Sequence, residues 1–117
     1  MAELDTINSV YDLISREYNV LVSAVDPAVN LSVGTSDVII AMNNPRRLSL
    51  VIINLSTNVV YVKPGGIATT TSGIRLTPSG GSVSLNWRSD MHLPSLEWHA
   101  IASGASSTIY ITSVIVR

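Results

Sequence analysis

Residues 47–87 read RLSLVIINLSTNVVYVKPGGIATTTSGIRLTPSGGSVSLNW. Four short β-branched runs, RLSLVIIN, NVVYVK, GIRLTP and SVSLNW, alternate here with clusters of Pro, Gly, Ser and Asn. Alternation with a period of two is the mark of a half-buried strand. Leu48, Leu50 and Ile52 fall on one face with Ser49 opposite, and Val83, Leu85 and Trp87 form a second inward series. Pro64-Gly65 and Pro78-Ser79-Gly80-Gly81 supply the fixed and positive φ values that chain reversals demand. Asn54 and Ser56 end a strand and open a tight hairpin, because their side chains bond nearby backbone groups. The glycines do not form a phosphate cradle. Lys63 precedes them, no Lys-Ser/Thr follows, and the stretch after Gly66 has no helical period.

The same rhythm extends outward. DVIIAM (37–42), LEWHAIA (96–102) and STIYITSVIVR (107–117) are further β-branched runs, at roughly ten-residue spacing. This predicts an all-β fold, a β-sandwich or jelly-roll-like barrel of about seven to eight strands. VIIN and SVIVR are apolar on both faces, as expected of strands covered on each side or lying at a subunit contact. Before residue 37 the period changes. Leu4, Ile7, Tyr11, Ile14, Tyr18 and Leu21 recur at spacings of three and four, which predicts a helix over 4–21 capped by Asp5 or Thr6. The pattern breaks between Asp26-Pro27 and Gly34, with a short extended segment around VNLSV. The division expected is therefore a helical arm and linker over 1–35 and a β-sandwich domain over 36–117.

The chain has 117 residues and no cysteine, which excludes disulfides, thiolate metal sites and a cysteine nucleophile. Its N-terminus lacks the basic start and apolar core of a signal peptide, and no apolar run reaches the roughly 18 residues of a membrane span. No membrane partner is expected. Charged residues make up 13% of the chain and apolar residues 46%, against about 25% charged in an average soluble domain. Such a surface suits a protein that hides part of itself in an assembly. Charge is also segregated. Glu3, Asp5, Asp12, Glu17, Asp26 and Asp37 face Arg16 alone in the first 40 residues, whereas Arg46, Arg47, Lys63, Arg75, Arg88 and Arg117 face Asp90 and Glu97 afterwards. This asymmetry suits docking of the arm on a neighbouring copy.

Candidate chemistry is sparse. His92 and His99 lack both the spacing of a helical zinc pair and a third ligand, so no metal site is expected. His99 shares a strand face with Glu97 and Ile101, opposite Leu96, Trp98 and Ala100, and reads as a surface or interface imidazole. There is no G-x-S-x-G elbow, and nothing marks Asp90 and Glu97 as a glycosidase pair. No cofactor and no enzymatic activity are expected. A sequence pI of about 6.0 argues against nucleic-acid binding. Trp87 and Trp98 raise sugar stacking as an alternative, although both continue inward series and so favour the core. Trp98, His99 and Glu97 are the candidate ligand or interface residues.

Arg47, Leu50, Ile52, Asn54 and Ser56, then Val60-Tyr61-Val62, then Gly73-Ile74, Leu76 and Pro78, then Trp98, Ala100, Ile101 and Ala102 form an ordered pattern across residues 46–117. That pattern resembles a recurrent type of small tailed-phage virion protein, from which His99 and Ser79 are local departures. The resemblance implies a non-enzymatic structural subunit made in the host cytoplasm and carried in the virion. The role it suggests is a capsid decoration or head-surface protein that self-associates, as a trimer or another small oligomer, and binds the major capsid protein. Leu4, Ile7, Tyr11, Ile14, Tyr18 and Leu21 would then form the oligomer or shell contact. The alternatives are a tail, baseplate or fibre component contacting a host glycan, and a cellular carbohydrate-binding or adhesion domain. An exposed Trp98 beside Glu97 and Asp90 would favour the glycan readings.

Overall fold

The computed structural model describes residues 9–25 and 31–117. Along the chain run α1 (Val10–Tyr18), β1 (Val22–Val25), β2 (Ser32–Val33), β3 (Val38–Ala41), β4 (Arg47–Asn54), β5 (Val60–Pro64), β6 (Ile74–Leu76) and β7 (Ser82–Asn86). Then come a short α2 (Trp87–Asp90), a 3-10 turn at Leu93–Ser95, β8 (Trp98–Ala102) and β9 (Ser107–Val116). One sheet has the order β1-β9-β4-β7, with β2 also paired to β9; the other has the order β3-β8-β5-β6. Every pairing is antiparallel. The pairs β2·β9, β3·β8, β4·β7 and β5·β6 are nested one inside the next. A long hairpin folded over into two layers has this connectivity, which is that of a jelly roll. The all-β sandwich expected from the period-two runs is the fold observed.

Burial explains why the two layers hold together. Leu50 and Ile52 of β4, Leu85 of β7, and Ile109 and Ile111 of β9 join Ile40, Val60, Val62, Leu76, Trp98, Ala100 and Ala102 of the other sheet in one core. Each fully buried aliphatic side chain of this kind contributes about 1.5–3 kcal/mol relative to an exposed one.

In β4 the expected face assignment fails at Leu48. The β4–β9 register jumps between Arg47↔Ile115 and Ser49↔Val114, a bulge. Arg47 and Leu50 are therefore both buried, while Leu48 and Ser49 both face the outer side of the sheet. Trp87 likewise leaves its inward series: β7 ends at Asn86, whose side chain caps α2 by accepting from the Ser89 N–H. Trp87 is 44% exposed.

The segment after Asn54 also differs from expectation. It joins β4 to β5, which lie in different sheets, so it is a crossover and not a hairpin. The chemistry foreseen for it is nevertheless present. Asn54, fully buried, donates from Nδ2 to the carbonyls of Asn58 (2.7 Å), Leu76 (3.1 Å) and Thr77 (3.1 Å). Its Oδ1 accepts from the Ser56 N–H and hydroxyl at 3.0 and 2.7 Å. The Pro78–Gly81 turn crosses back between the sheets beside it, with Ser79 at φ 57 and Gly80 at φ 118. Gly81 needs its missing side chain for a different reason, since a Cβ there would sit 2.3 Å from the Thr77 nitrogen.

The N-terminal segment is more than an arm and linker. β1 and β2 both fall within residues 1–35, and both pair with β9, so the boundary at residue 35 is not a boundary in the sheet. Helix α1 starts after Ser9, whose Oγ accepts from the Asp12 N–H. It ends at Asn19, which adopts the left-handed conformation (φ 55, ψ 38) that closes many helices. Leu21 continues the helical spacing but lies beyond that cap. The expected start at residue 4 and its caps Asp5 and Thr6 lie outside the described residues.

Candidate functional site

Two places on the sandwich gather side chains with something other than packing to do. The first is on the outer face of the β3-β8-β5-β6 sheet. Asp37 stands just before β3, Glu97 just before β8, and His99 one position into β8, paired across the strands with Ile39 on one side and Lys63 on the other. The His99 ring sits between two carboxylates, Nδ1 2.7 Å from Asp37 Oδ2 and Nε2 2.7 Å from Glu97 Oε1. Asp37 is itself held, its Oδ1 accepting from the Ala68 N–H at 2.8 Å. Lys63 turns away to donate to Ser72 Oγ.

Burial alone would push the His99 pKa down, but the hydrogen bonds to Asp37 and Glu97 and the charges of both outweigh it, so the net shift is upward. In the imidazolium both ring N–H groups donate, which leaves neither nitrogen with a lone pair for a metal or a substrate proton. Among the described residues no group of three or more His, Asp and Glu side chains is arranged to hold a metal ion. His99 does share a face with Glu97, as the strand period required, yet it is only 9% exposed. Sequence reads His99 as a surface or interface imidazole; in the folded chain the ring is buried and clamped from both sides.

Trp98 takes the core position that its inward series favoured. Its ring is fully buried in the core, with Nε1 donating to the Leu93 carbonyl at 3.0 Å. No face of that indole is open to a sugar, so the feature that would have favoured a glycan-binding reading is gone. Arg47 is spent on structure as well. It is 4% exposed and donates from Nη1 to the carbonyls of Pro94 and Leu96 and from Nη2 to that of Met42. It ties the β3–β4 connection to the segment that precedes β8, and desolvation lowers its pKa.

The second place is an apolar groove of about 460 Å³ on the outer face of the other sheet. Val22 of β1, Val114 and Val116 of β9, Leu48 and Ser49 at the β4 bulge, and Asn86 at the end of β7 form its floor. Tyr18, Val20, Trp87 and Arg88 form its walls. Tyr18 and Trp87 meet edge to face, centroids 6.0 Å apart at 87°. The Arg88 guanidinium lies 5.6 Å from the Trp87 centroid and 6.0 Å from that of Tyr18, and it donates to the Tyr18 hydroxyl. A second hollow of about 410 Å³ shares Leu48 and Trp87 with the groove and continues past Met91, His92 and Ser95.

The expected arm contact is only partly on view. Tyr18 reaches the groove, and both Tyr18 and Leu21 are exposed. Leu4 and Ile7 lie outside the described residues, as do the side chains of Tyr11 and Ile14 on α1. The groove itself was foreseeable in one respect: SVIVR is apolar on both faces, and Val114 and Val116 are the outward half of that run. Leu48, Trp87 and Arg88 carried no such signal, because a bulge and a helix start put them there. Compared with protein-family models, curated proteins and solved structures, the chain matches none.

Proposed function

We propose that this chain is a non-enzymatic structural subunit of a tailed-phage particle, a decoration or head-surface protein that self-associates and attaches to a shell of major capsid protein. The observation that carries the reading is the uncovered apolar surface on one side of the sandwich. Tyr18 and Trp87, 42 and 44% exposed, wall a groove floored mainly by valines and Leu48, and Met91, 73% exposed, lines the adjoining hollow. Apolar surface rimmed by polar side chains is a regular feature of association sites. The polar groups fit the same reading: His99, Arg47 and Asn54, which would be the first suspects for chemistry, are consumed in holding strands and crossovers together. Jelly rolls also serve as viral capsid domains, an analogy of architecture that adds to the sequence resemblance over 46–117.

Co-sedimentation with shells assembled from the major capsid protein encoded alongside this chain tests the proposal. Saturable binding at a fixed ratio of subunits to shell protein supports it. Full-length protein that stays in the supernatant at saturating concentration removes it.

A further inference from the structure

We infer that the groove on the β1-β9-β4-β7 sheet receives helix α1 of a second copy of this chain. The inference rests on self-association as proposed above, and it names the two surfaces that meet. Both are present in every molecule, and both are left open by it. Val10 and Leu13 on α1 are 70% and 42% exposed. The groove touches its own helix at Tyr18, the last residue of α1, so the rest of the helix leads away from the floor it would need to cover.

Length and charge favour a second copy's helix as the occupant. The floor draws on four adjacent strands, β1, β9, β4 and β7, and three interstrand steps of about 4.8 Å span about 14 Å. The nine residues of α1 rise about 14 Å. Arg88 stands on the groove wall as its cation. The helix that would lie there is acidic, with Asp12 and Glu17 against Arg16. Opposite signs at the rim orient the approach, while apolar contact supplies the affinity.

The helix and the groove are different surfaces, so each copy both gives and receives a helix. Two copies that exchange helices close as a twofold dimer, whereas a one-way contact closes into a larger ring such as a trimer or continues as a filament.

Light scattering after size exclusion on the full chain tests this with two variants. Val10→Glu combined with Leu13→Glu spoils the helix, and Trp87→Glu spoils the groove. Wild type is expected above monomer mass, each variant at monomer mass, and a mixture of the two as a 1:1 dimer, since one intact helix and one intact groove remain. Arg88→Glu, an exposed change, is expected to weaken association several-fold and replaces Trp87→Glu should that variant lose its β circular dichroism. A monomeric wild type overturns the inference, and so does a groove variant that keeps the wild-type mass, which would mean helix pairing with helix. A wild-type ring with the expected variant behaviour that ignores capsid shells would leave the inference standing and sink the virion reading. A monomer that decorates shells would do the reverse.

Discussion

His99 of β8 and Asp37, 62 positions earlier and just ahead of β3, are joined by a 2.7 Å contact that fastens two neighbouring strands on the outside of the sandwich. Glu97 completes the clamp from the other side. A histidine whose folded pKa is raised stabilises the fold fully below its unfolded value of about 6.5, and this contribution is lost as pH rises through the folded value. Thermal stability is therefore expected to fall as pH increases from about 6.5 upward, at no more than about 1.4 kcal/mol per pH unit for this single proton. His99→Gln should remove that dependence. Unfolding followed by circular dichroism at a series of pH values checks it, and an unchanged slope in the variant would refute the assignment.

The two tryptophans should respond unequally to truncation. Trp98→Ala empties a fully buried site and is expected to cost about 3–5 kcal/mol. Trp87→Ala gives up an exposed edge-to-face pair and should cost about 0.5–1.5 kcal/mol. Acrylamide quenching of conservative single-tryptophan variants in the monomeric Val10→Glu, Leu13→Glu background reads the same contrast, with the Trp87 emission quenched and the Trp98 emission shielded.

Asn54→Leu is expected to be among the most damaging changes of similar volume. The carbonyls of Asn58, Leu76 and Thr77 would lose the Nδ2 donor and the Ser56 N–H its acceptor at a buried crossover; the Ser56 hydroxyl and the Gly81 N–H still reach the carbonyls of Asn58 and Thr77, and each group left unsatisfied costs about 1–3 kcal/mol. Chemical denaturation should show a lower midpoint, and a midpoint within error of wild type would show that the network contributes little.

Glycine positions separate by what surrounds them. Gly81→Ala pushes a Cβ into the Thr77 backbone and should destabilise by about 1–3 kcal/mol or more. Gly34→Ala meets nothing within 4 Å and should be close to neutral. Paired melting curves decide between them.

By itself the sequence determined the strands. A period of two survives any tertiary arrangement, so the runs from residue 37 onward became β3 to β9, and the Pro-Gly and Pro-Ser-Gly-Gly clusters became reversals with positive φ at Gly65, Ser79 and Gly80. Asn54 and Ser56 could be read as turn formers because their bonds are local. What only the tertiary structure decided is where long-range pairing interrupts that rhythm. The bulge opposite β9 turned Leu48 outward and Arg47 inward, the cap at Asn86 released Trp87 to the surface, and β9 recruited Val22–Val25 from a segment whose spacing had suggested helix and linker. The pairing of His99 with Asp37 belongs to the same class. Alternation along a strand is a property of neighbours in the chain, whereas register, bulges and cross-strand ion pairs depend on which distant segment lies alongside.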